Sequence, residues 1–350
     1  MKKNTMKKLT ALACAGAMSL SLAACGSGGN SAPSSSGEAG GAEGVKIGIL
    51  QYAQHPSLDN CYEGVLQGLA EAGYTDGENG VSIEFQNANG STSDADLMAK
   101  TMVSTGCDMI IAVATPAAMS AYAAAKDADV PVIYAAASDP IGSGLAKDLN
   151  APETGASGTK DALNLEGQMK MIRAFLPEAD TIGILYTTSE PNSVAHLKTF
   201  QELAPDYGFT IEAVGITNES EVASGAATLV AKGVDCVNNF TDNNVVNNLS
   251  TLLHATDEAG IPVFGSEEEQ VRNGCVASES LDYVALGAET GAMAAAVLSG
   301  EADIMTLPVS VVAESTPVYS AANCAKFGIT LPEGYSSAAN LDEAEYIFRL

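Results

Sequence analysis

Short β-branched runs alternate with longer segments of helical periodicity from Val45 onward, and this alternation limits the fold more than any other feature. The first run, Val45 to Leu50, precedes an apolar stripe of helical spacing that Gly73 ends. Further strands are predicted at Val81 to Phe85, Met109 to Val113, Val130 to Tyr134, Ile182 to Tyr186, Thr210 to Val214, Val234 to Val237, Ile261 to Phe264 and Val309 to Val312. Because repeated β–α units form parallel sheets with helical crossovers, we predict an α/β fold.

The length of this pattern predicts two doubly wound parallel-sheet lobes, because single cores stop growing at roughly 250–300 residues. The alternation weakens from Asn150 to Gly158, where we expect the first crossing between lobes. A second crossing is expected near Ser278 to Leu281, since the Ala-rich helix that follows needs burial. The third follows Glu301. We therefore predict one lobe from residues 45–157 plus about 281–306, and another from 158–280 plus about 307–350.

The first 24 residues have the layout of a secretory signal peptide. Four Lys precede an apolar run from Leu9 to Ala24, which is short against the roughly 20 residues of a membrane-spanning helix. Leu22-Ala23-Ala24-Cys25 resembles the bacterial lipobox, so we expect Cys25 to be lipidated. A chance Cys in an ordinary leader is the alternative. Residues 25–44 are rich in Gly and Ser and predict a flexible tether, which places the protein on the outer face of the cell membrane.

Composition argues against several functions. The formal net charge of -27 makes nucleic acid an unsuitable partner. Five Cys follow Cys25 without a CxxC pair, so we expect buried thiols and no metal site. The sequence has no HExxH, GxSxG or GxxxxGK[ST] motif, and we therefore predict neither an enzyme nor a cofactor.

Polar residues recur directly after the predicted strands. In open parallel sheets, ligands bind beyond the carboxyl ends of the strands, where helix N-termini also point. The residues in these positions are Gln54, His55 and Ser57 after the first strand; Thr115, Pro116 and Ala117; Ser138 and Asp139; Glu190, Asn192 and Ser193; Phe240 and Asp242; and Asp282 with Tyr283. Each group alone could be turn or cap chemistry. Their recurrence in both halves favours one shared cleft.

The residue types at these strand ends suit a zwitterion. Hydroxyls of Thr115 and Ser193, with the free N–H groups of helix starts, suit a carboxylate. An ammonium could be held by Glu190, Asp139 or Asp242. The aromatic residues nearby could wall an apolar side chain or could be core: Tyr52, Tyr134, Phe240 and Tyr283.

Six ordered motifs resemble the tryptophan/tyrosine-type substrate-binding lipoproteins of ABC importers, over Val45 to Pro332. They are His55-Pro56-Ser57-Leu58-Asp59, Thr115-Pro116-Ala117-Ala118, Ser138-Asp139-Pro140, Leu185-Tyr186 with Glu190-Pro191-Asn192-Ser193, Thr241-Asp242-Asn243, and Asp282-Tyr283 with Leu286-Gly287. The resemblance implies a type I periplasmic-binding-protein fold with a three-strand hinge. It also implies polar ligand contacts at Thr115, Ser138, Asp139, Glu190, Asn192, Ser193, Asp242 and Asp282. Gln54 and Phe240 depart from the family pattern, at positions where many relatives have an acid and a Pro.

The resemblance predicts a monomeric receptor that captures a small molecule, with an aromatic amino acid favoured, and presents it to an ABC permease and its ATPase. Closure would be stabilised by ligand contacts to both lobes at once. Two alternatives remain open. A sugar or nucleoside receptor would share the fold, although sugar sites commonly stack a ring on Trp and this chain has none. A surface adhesin or sensor would share the lipid anchor.

Overall fold

The computed structural model describes residues 44–342. The predicted signal peptide, the lipidation site at Cys25 and residues 25–43 of the predicted tether lie outside this range. No helix within the described range is long and apolar enough to cross a membrane.

The first lobe is built on a six-stranded sheet with helices on both faces. Its strands run in the order β11, β5, β4, β3, β1, β2, and all neighbours pair in parallel. Its elements are β1 (Lys46–Gln51), α1 (Pro56–Glu71), β2 (Ser82–Asn87), α2 (Thr92–Ser104), β3 (Met109–Val113), α3 (Thr115–Ala125), β4 (Val132–Ala135), β5 (Ala156–Asp161), α10 (Tyr283–Leu298) and β11 (Ser310–Val312). Side chains of the central strands, including Ile49, Ile111 and Ile133, are fully buried between the helical layers.

The second lobe repeats this arrangement on a smaller scale. Its four-stranded sheet has the order β7, β6, β8, β9, again with parallel neighbours. Its elements are α4 (Leu165–Phe175), β6 (Thr181–Thr187), α5 (Pro191–Leu203), β7 (Thr210–Ile216), α6 (Val222–Lys232), β8 (Cys236–Asn238), α7 (Asn243–Asn247), α8 (Leu249–Ala259), β9 (Val263–Phe264) and α9 (Glu268–Arg272). The predicted α/β class with parallel sheets is therefore confirmed.

A third, three-stranded sheet lies beside the end of β9. It consists of β10 (Ala277–Ser280), β12 (Thr316–Tyr319) and β13 (Ala339–Asn340), with α11 (Ala321–Lys326) following β12. β10 and β12 are antiparallel, and a bridge from Gly265 to Ser278 joins this sheet to the strand edge of the second lobe. The apolar residues of α11 and of the segment after it pack on the core of the second lobe.

Three short segments connect the lobes, running from β5 to α4, from β10 to α10 and from β11 to β12. Two of them differ from the sequence-based expectation. β5 continues in the first sheet to Asp161, past the boundary expected at residue 157, and Ser310–Val312 pairs with β5 rather than belonging to the second lobe. Strands that leave one sheet for another keep their extended backbone, so periodicity carries no mark of the crossing. The lobe boundaries themselves stay predictions.

Every strand predicted from the sequence has a counterpart within a few residues, while β5, β10, β12 and β13 were not predicted. The five described cysteines are all buried, as expected of apolar thiols.

Helices α1 and α10 touch backbone to backbone through glycines. A Cβ on Gly64 or Gly68 would lie 2.1 Å from the carbonyl oxygen of Val284 or Ala288. On the facing helix, a Cβ on Gly287 would lie 2.0 Å from the carbonyl oxygen of Cys61. These distances leave no room for a methyl group. The glycines therefore set how closely α10 packs on the first lobe, and with it where Tyr283 at the start of α10 is placed.

Replacing Gly68 with Ala should destabilise the protein by about 1–3 kcal/mol, because overpacking outweighs the better helix propensity of Ala. Gly334→Ala is the matched control, since a Cβ there meets no atom within 4 Å. Chemical denaturation of both variants checks this. A Gly68→Ala protein as stable as wild type would contradict the close packing of the two helices.

Candidate functional site

The strand order of each lobe reverses at one point, beside the first strand of the lobe. In the first sheet β2 and β3 flank β1, and in the second sheet β7 and β8 flank β6. At such switch points the neighbouring loops diverge and open a crevice beyond the strand ends. The loops after β1 and β3 face those after β6 and β8 across the junction between lobes.

A small cavity lies at this junction, with both lobes in its wall. Its free volume is about 10 Å³, which is roughly the space of one water molecule. It is lined by His55, Leu58, Ala114, Thr115, Ala136, Ser138, Asp161, Asn192, Thr241, Asn243, Glu267 and Tyr283. Five of the residues predicted from the sequence are brought together here: His55, Thr115, Ser138, Asn192 and Tyr283.

Asp161, at the carboxyl end of β5, is one of two acids in the lining of the small cavity. Its carboxylate accepts hydrogen bonds from the Ser138 hydroxyl at 2.8 Å and from the Tyr283 hydroxyl at 3.1 Å. Burial raises the pKa of Asp161 to about 6, although these bonds and the charge of Lys160 oppose the rise. This carboxyl group therefore lies where the first two connecting segments meet, and it is held by Ser138 of the loop after β4 and by Tyr283 of α10.

Glu267 supplies a second buried acid from the other lobe. Burial raises its pKa to about 7; a hydrogen bond from the Gln270 amide at 2.9 Å opposes this, and the charges of Asp161 and Glu269 add to it. None of the described residues that line the cavity is Lys or Arg. The electrostatics of the cavity thus favour a cationic group.

A larger cavity of about 300 Å³ adjoins the first, and the two share His55 and Glu267. Two predicted residues lie here: the exposed Gln54 and the buried Ser57. The rest of the lining comes mostly from α7, α8 and α9: Val246, Asn247, Leu249, Ser250, Glu269, Gln270 and Asn273, with Pro56 from α1. No Lys or Arg belongs to this described lining either.

Behind Asn192 and Asn243, two predicted acids form a buried network. Glu190 accepts from the side-chain amides of Asn243 at 2.6 Å and Asn192 at 3.3 Å. Asp242 accepts from the Thr187 hydroxyl at 2.8 Å and caps α7 through Val245 N at 3.0 Å. Burial and the charge of Asp242 raise the pKa of Glu190, and burial raises that of Asp242. Neither acid lines the cavity. Glu190 orients the amides of Asn192 and Asn243, which do, and Asp242 holds the start of α7.

The amide orientation leaves acceptor oxygens toward the lobe junction. Because Glu190 takes hydrogen bonds from both Nδ2 groups, the carbonyl oxygens of Asn192 and Asn243 face away from it. Asn243 Oδ1 lies 3.4 Å from His55 Nε2, across the two lobes. Asn192 Oδ1 is buried without a partner among residues 44–342, as are His55 Nδ1 and Thr241 Oγ1 of the same lining.

Backbone strain accompanies the site. Ala114, between β3 and α3, has φ 80° and ψ 152°, a region that side chains other than Gly rarely adopt and that costs roughly 1–3 kcal/mol. Ala136, after β4, has φ 56°. Both residues line the cavity, and strain of this kind collects at ligand sites. At Ala114 it directs the chain into α3, whose first-turn N–H groups have no partner within the helix.

The remaining predicted residues lie elsewhere. Pro116 and Ala117 are buried in the first turn of α3, and Ser193 is buried in α5 beside Asn192. Asp139 accepts from Gly142 N at 3.0 Å in a turn. Asp282 is exposed and caps α10 through Ala285 N at 2.9 Å. Phe240 packs on His196 and Phe200 in the core of the second lobe. Their roles as ligand contacts stay predictions.

Of the four aromatic residues considered as walls, Tyr283 alone is in the described lining of either cavity. Tyr52 donates to Gly90 O at 2.8 Å, and Tyr134 is fully buried in the core of the first lobe. Tyr134 and Phe240 therefore lie in the cores of the first and second lobe.

Four lining residues were not predicted from the sequence as site residues: Asp161, Glu267, Thr241 and Asn243. Asp161 was missed because β5 was not predicted, so the sequence did not mark Asp161 as the end of a strand. Glu267 follows β9, a strand that was predicted, and the same strand-end rule finds it once the Gly265-Ser266 turn is included. Thr241 and Asn243 flank Asp242, and only the structure shows that the neighbours, not the acid, reach the cavity.

A crevice between two α/β lobes, lined by buried hydrogen-bonding groups of both, defines a two-lobed ligand-binding protein. The family model for ABC transporter substrate binding proteins matches residues 46–341. The chain belongs to this family, and its fold is the type I periplasmic-binding-protein fold.

Relatives with known ligands or structures are similar over most of this length. A tyrosine-binding protein of Clostridioides difficile (strain R20291) is 34% identical over 311 residues, 88% of this chain and 89% of the relative. An ABC domain from Streptococcus pneumonia, solved in complex with L-Trp, is 36% identical with a TM-score of 0.81, over 85% of this chain and 98% of that one.

A third relative differs in the arrangement of its lobes. The ligand-free, open structure of a substrate binding protein with adhesive properties from Clostridium difficile is 33% identical, over 85% of this chain and 98% of that one, but its TM-score is 0.63. The two solved relatives are almost equally similar in sequence. The lower TM-score for the open structure indicates that the lobes of this chain are arranged more like those of the L-Trp complex.

Glu267→Gln should stabilise the ligand-free protein relative to wild type as the pH rises. A carboxyl whose pKa is raised from 4.5 to about 7 favours the folded state below about pH 4.5, and that contribution is lost as the pH rises through 7. A neutral amide removes this loss, so the difference in unfolding free energy should grow by about 3 kcal/mol between pH 4.5 and pH 8.

Urea denaturation across this pH range measures the effect, with the exposed Glu71→Gln on α1 as the matched control. Parallel curves for Glu267→Gln and wild type would contradict the buried, protonatable state of Glu267.

Proposed function

We propose that this protein captures an aromatic amino acid between its lobes and presents it, as a monomer without catalytic activity, to an ABC permease and its ATPase. The observation that carries the proposal is the pair of buried carboxyl groups, Asp161 and Glu267, in linings that contain no Lys or Arg among the described residues. An ammonium group satisfies this requirement, since it brings one positive charge and three donors.

The same lining supplies neutral donors for a carboxylate. The Thr115 hydroxyl accepts from Ser138 N at 3.3 Å and keeps its own proton free to donate. The start of α3 adds N–H groups and the positive end of the helix dipole. An α-amino acid therefore matches the site at both ends: the ammonium at Asp161 and the carboxylate at the start of α3.

The aromatic side chain is supported by the relatives and by the space available. Similar proteins are described as tyrosine-binding or were solved with L-Trp. The adjoining cavity of about 300 Å³ is at the lower end of the range for small-molecule pockets. A ring extending from the small cavity into the larger one would fill both.

Lipid anchoring at Cys25 would hold this receptor on the outer face of the cell membrane. The support is the Lys-rich leader, the lipobox-like Leu22-Ala23-Ala24-Cys25 and the Gly/Ser-rich tether that follows. A tether of this composition lets the lobes reach a permease in the same membrane.

Tryptophan binding can be followed directly, because the chain contains no Trp of its own. Excitation beyond the tyrosine absorption band then reports only the ligand, whose emission should shift to shorter wavelength on burial. Asp161→Asn should weaken binding about 10- to 100-fold, the value of one charge-assisted hydrogen bond. Asp127→Asn, an exposed acid after α3 that belongs to neither described lining, should bind as wild type does.

Two results would overturn the ligand assignment. One is the absence of a spectral change with tryptophan together with no thermal stabilisation by tyrosine or phenylalanine, when a nucleoside or sugar does stabilise the protein. The other is equal tryptophan affinity in Asp161→Asn and wild type.

Expression in a bacterium supplied with a labelled fatty acid tests the anchor. Wild type should acquire the label and sediment with membranes, whereas Cys25→Ser should stay unlabelled. Cys14→Ser is the matched control, because Cys14 lies within the apolar run of the leader and should leave labelling unchanged. Label retained by Cys25→Ser would contradict the proposed anchor.

A further inference from the structure

We infer that His55 accepts a hydrogen bond from an N–H or O–H on the ring of the ligand, so that the site separates tryptophan and tyrosine from phenylalanine. The inference rests on the proposed function and adds to it the residue that sets ring specificity.

The position of His55 connects the two cavities. It follows β1 and immediately precedes α1, its side chain makes no capping bond to the helix, and its ring lines both cavities. The smaller cavity has room for about one water molecule, whereas the larger one measures about 300 Å³. A ligand whose charged groups are held at Asp161 and α3 therefore extends its ring past His55 and Glu267 toward the larger space.

The protonation state of His55 follows from its partner. Asn243 turns its Nδ2 toward Glu190, so the atom 3.4 Å from His55 Nε2 is an amide oxygen, which only accepts. Nε2 therefore carries the ring proton. Burial also lowers the pKa of His55 to about 4, which keeps the imidazole neutral at pH 7. In this tautomer Nδ1 has a lone pair and no proton.

Nδ1 is thus a buried acceptor that needs a donor. It has no hydrogen-bond partner among residues 44–342. The indole N–H of tryptophan and the phenol O–H of tyrosine are donors, whereas phenylalanine offers none. A phenylalanine ring would shield Nδ1 from water and leave it unpaired, which makes that ligand the weaker binder.

Titration calorimetry with three ligands tests the inference: L-tryptophan, L-phenylalanine and L-benzothienylalanine. The last has the tryptophan shape with sulfur in place of the ring N–H. Wild type should bind tryptophan about tenfold or more tightly than benzothienylalanine, the value of one neutral hydrogen bond at a buried acceptor. In His55→Leu this ratio should fall to about one, while benzothienylalanine still binds.

The ratio of the tryptophan and benzothienylalanine affinities distinguishes ring recognition by His55 from a structural role of this residue. Loss of the bond to Asn243 would weaken both ligands equally and leave the ratio unchanged. His55→Gln, which keeps an acceptor oxygen, should restore part of the preference. If His55→Leu does not fold, the ratio in His55→Gln decides, and it should be lower than in wild type but above one.

A wild-type ratio near one, or an unchanged ratio in His55→Leu, would overturn the inference and leave the proposed function standing. A wild-type protein that binds none of the three ligands, nor tyrosine, would overturn the proposed function itself.

Discussion

The burial of two carboxyl groups at the junction of the lobes is the constraint on which the site depends. Asp161 and Glu267 come from different parts of the fold, and both have raised pKa values because burial disfavours their charge. Removing charge from water is costly unless a partner compensates it, and the described lining offers no Lys or Arg. Burial therefore favours the protonated form of both carboxyl groups, and a ligand ammonium would compensate the charge of their ionised form.

Two other buried acids lie behind the cavity lining and hold part of it in place. Glu190 and Asp242 lie one layer deeper. Glu190 accepts from the amide groups of Asn192 and Asn243, and Asp242 caps the start of α7. Acceptor atoms rather than donors therefore face the junction. The glycine contact between α1 and α10 acts on the opposite wall, because it places Tyr283 where its hydroxyl reaches Asp161.

Among residues 44–342, few polar side-chain contacts hold the lobes together directly. His55, just before α1, reaches Asn243 of α7, and Asn60 of α1 donates to Glu269 of α9 at 3.2 Å. Because these contacts are few, most of the free energy that stabilises the closed arrangement must come from a ligand that touches both lobes. Such a ligand shifts the equilibrium toward the closed state because it binds that state more tightly. The same residues, His55 and Glu269, border the larger cavity, so ligand binding and lobe closure involve the same surface.

The sequence predicts the strand-and-helix order and the edge of each sheet where the site lies, because hydrophobic periodicity and strand-end chemistry are local. The sequence cannot separate a cap from a ligand contact. Asp139 and Asp282 follow their strands and lie one residue from Ser138 and Tyr283, yet they hold backbone N–H groups. It also cannot show where β5 leaves its sheet, and with that it misses Asp161. Long-range packing decides both.

The most direct test of the account is mass spectrometry of the small molecule released when the purified protein is denatured. The account predicts a free aromatic amino acid, in an amount approaching one molecule per chain. A released molecule without an ammonium group, such as a sugar or a nucleoside, would contradict it.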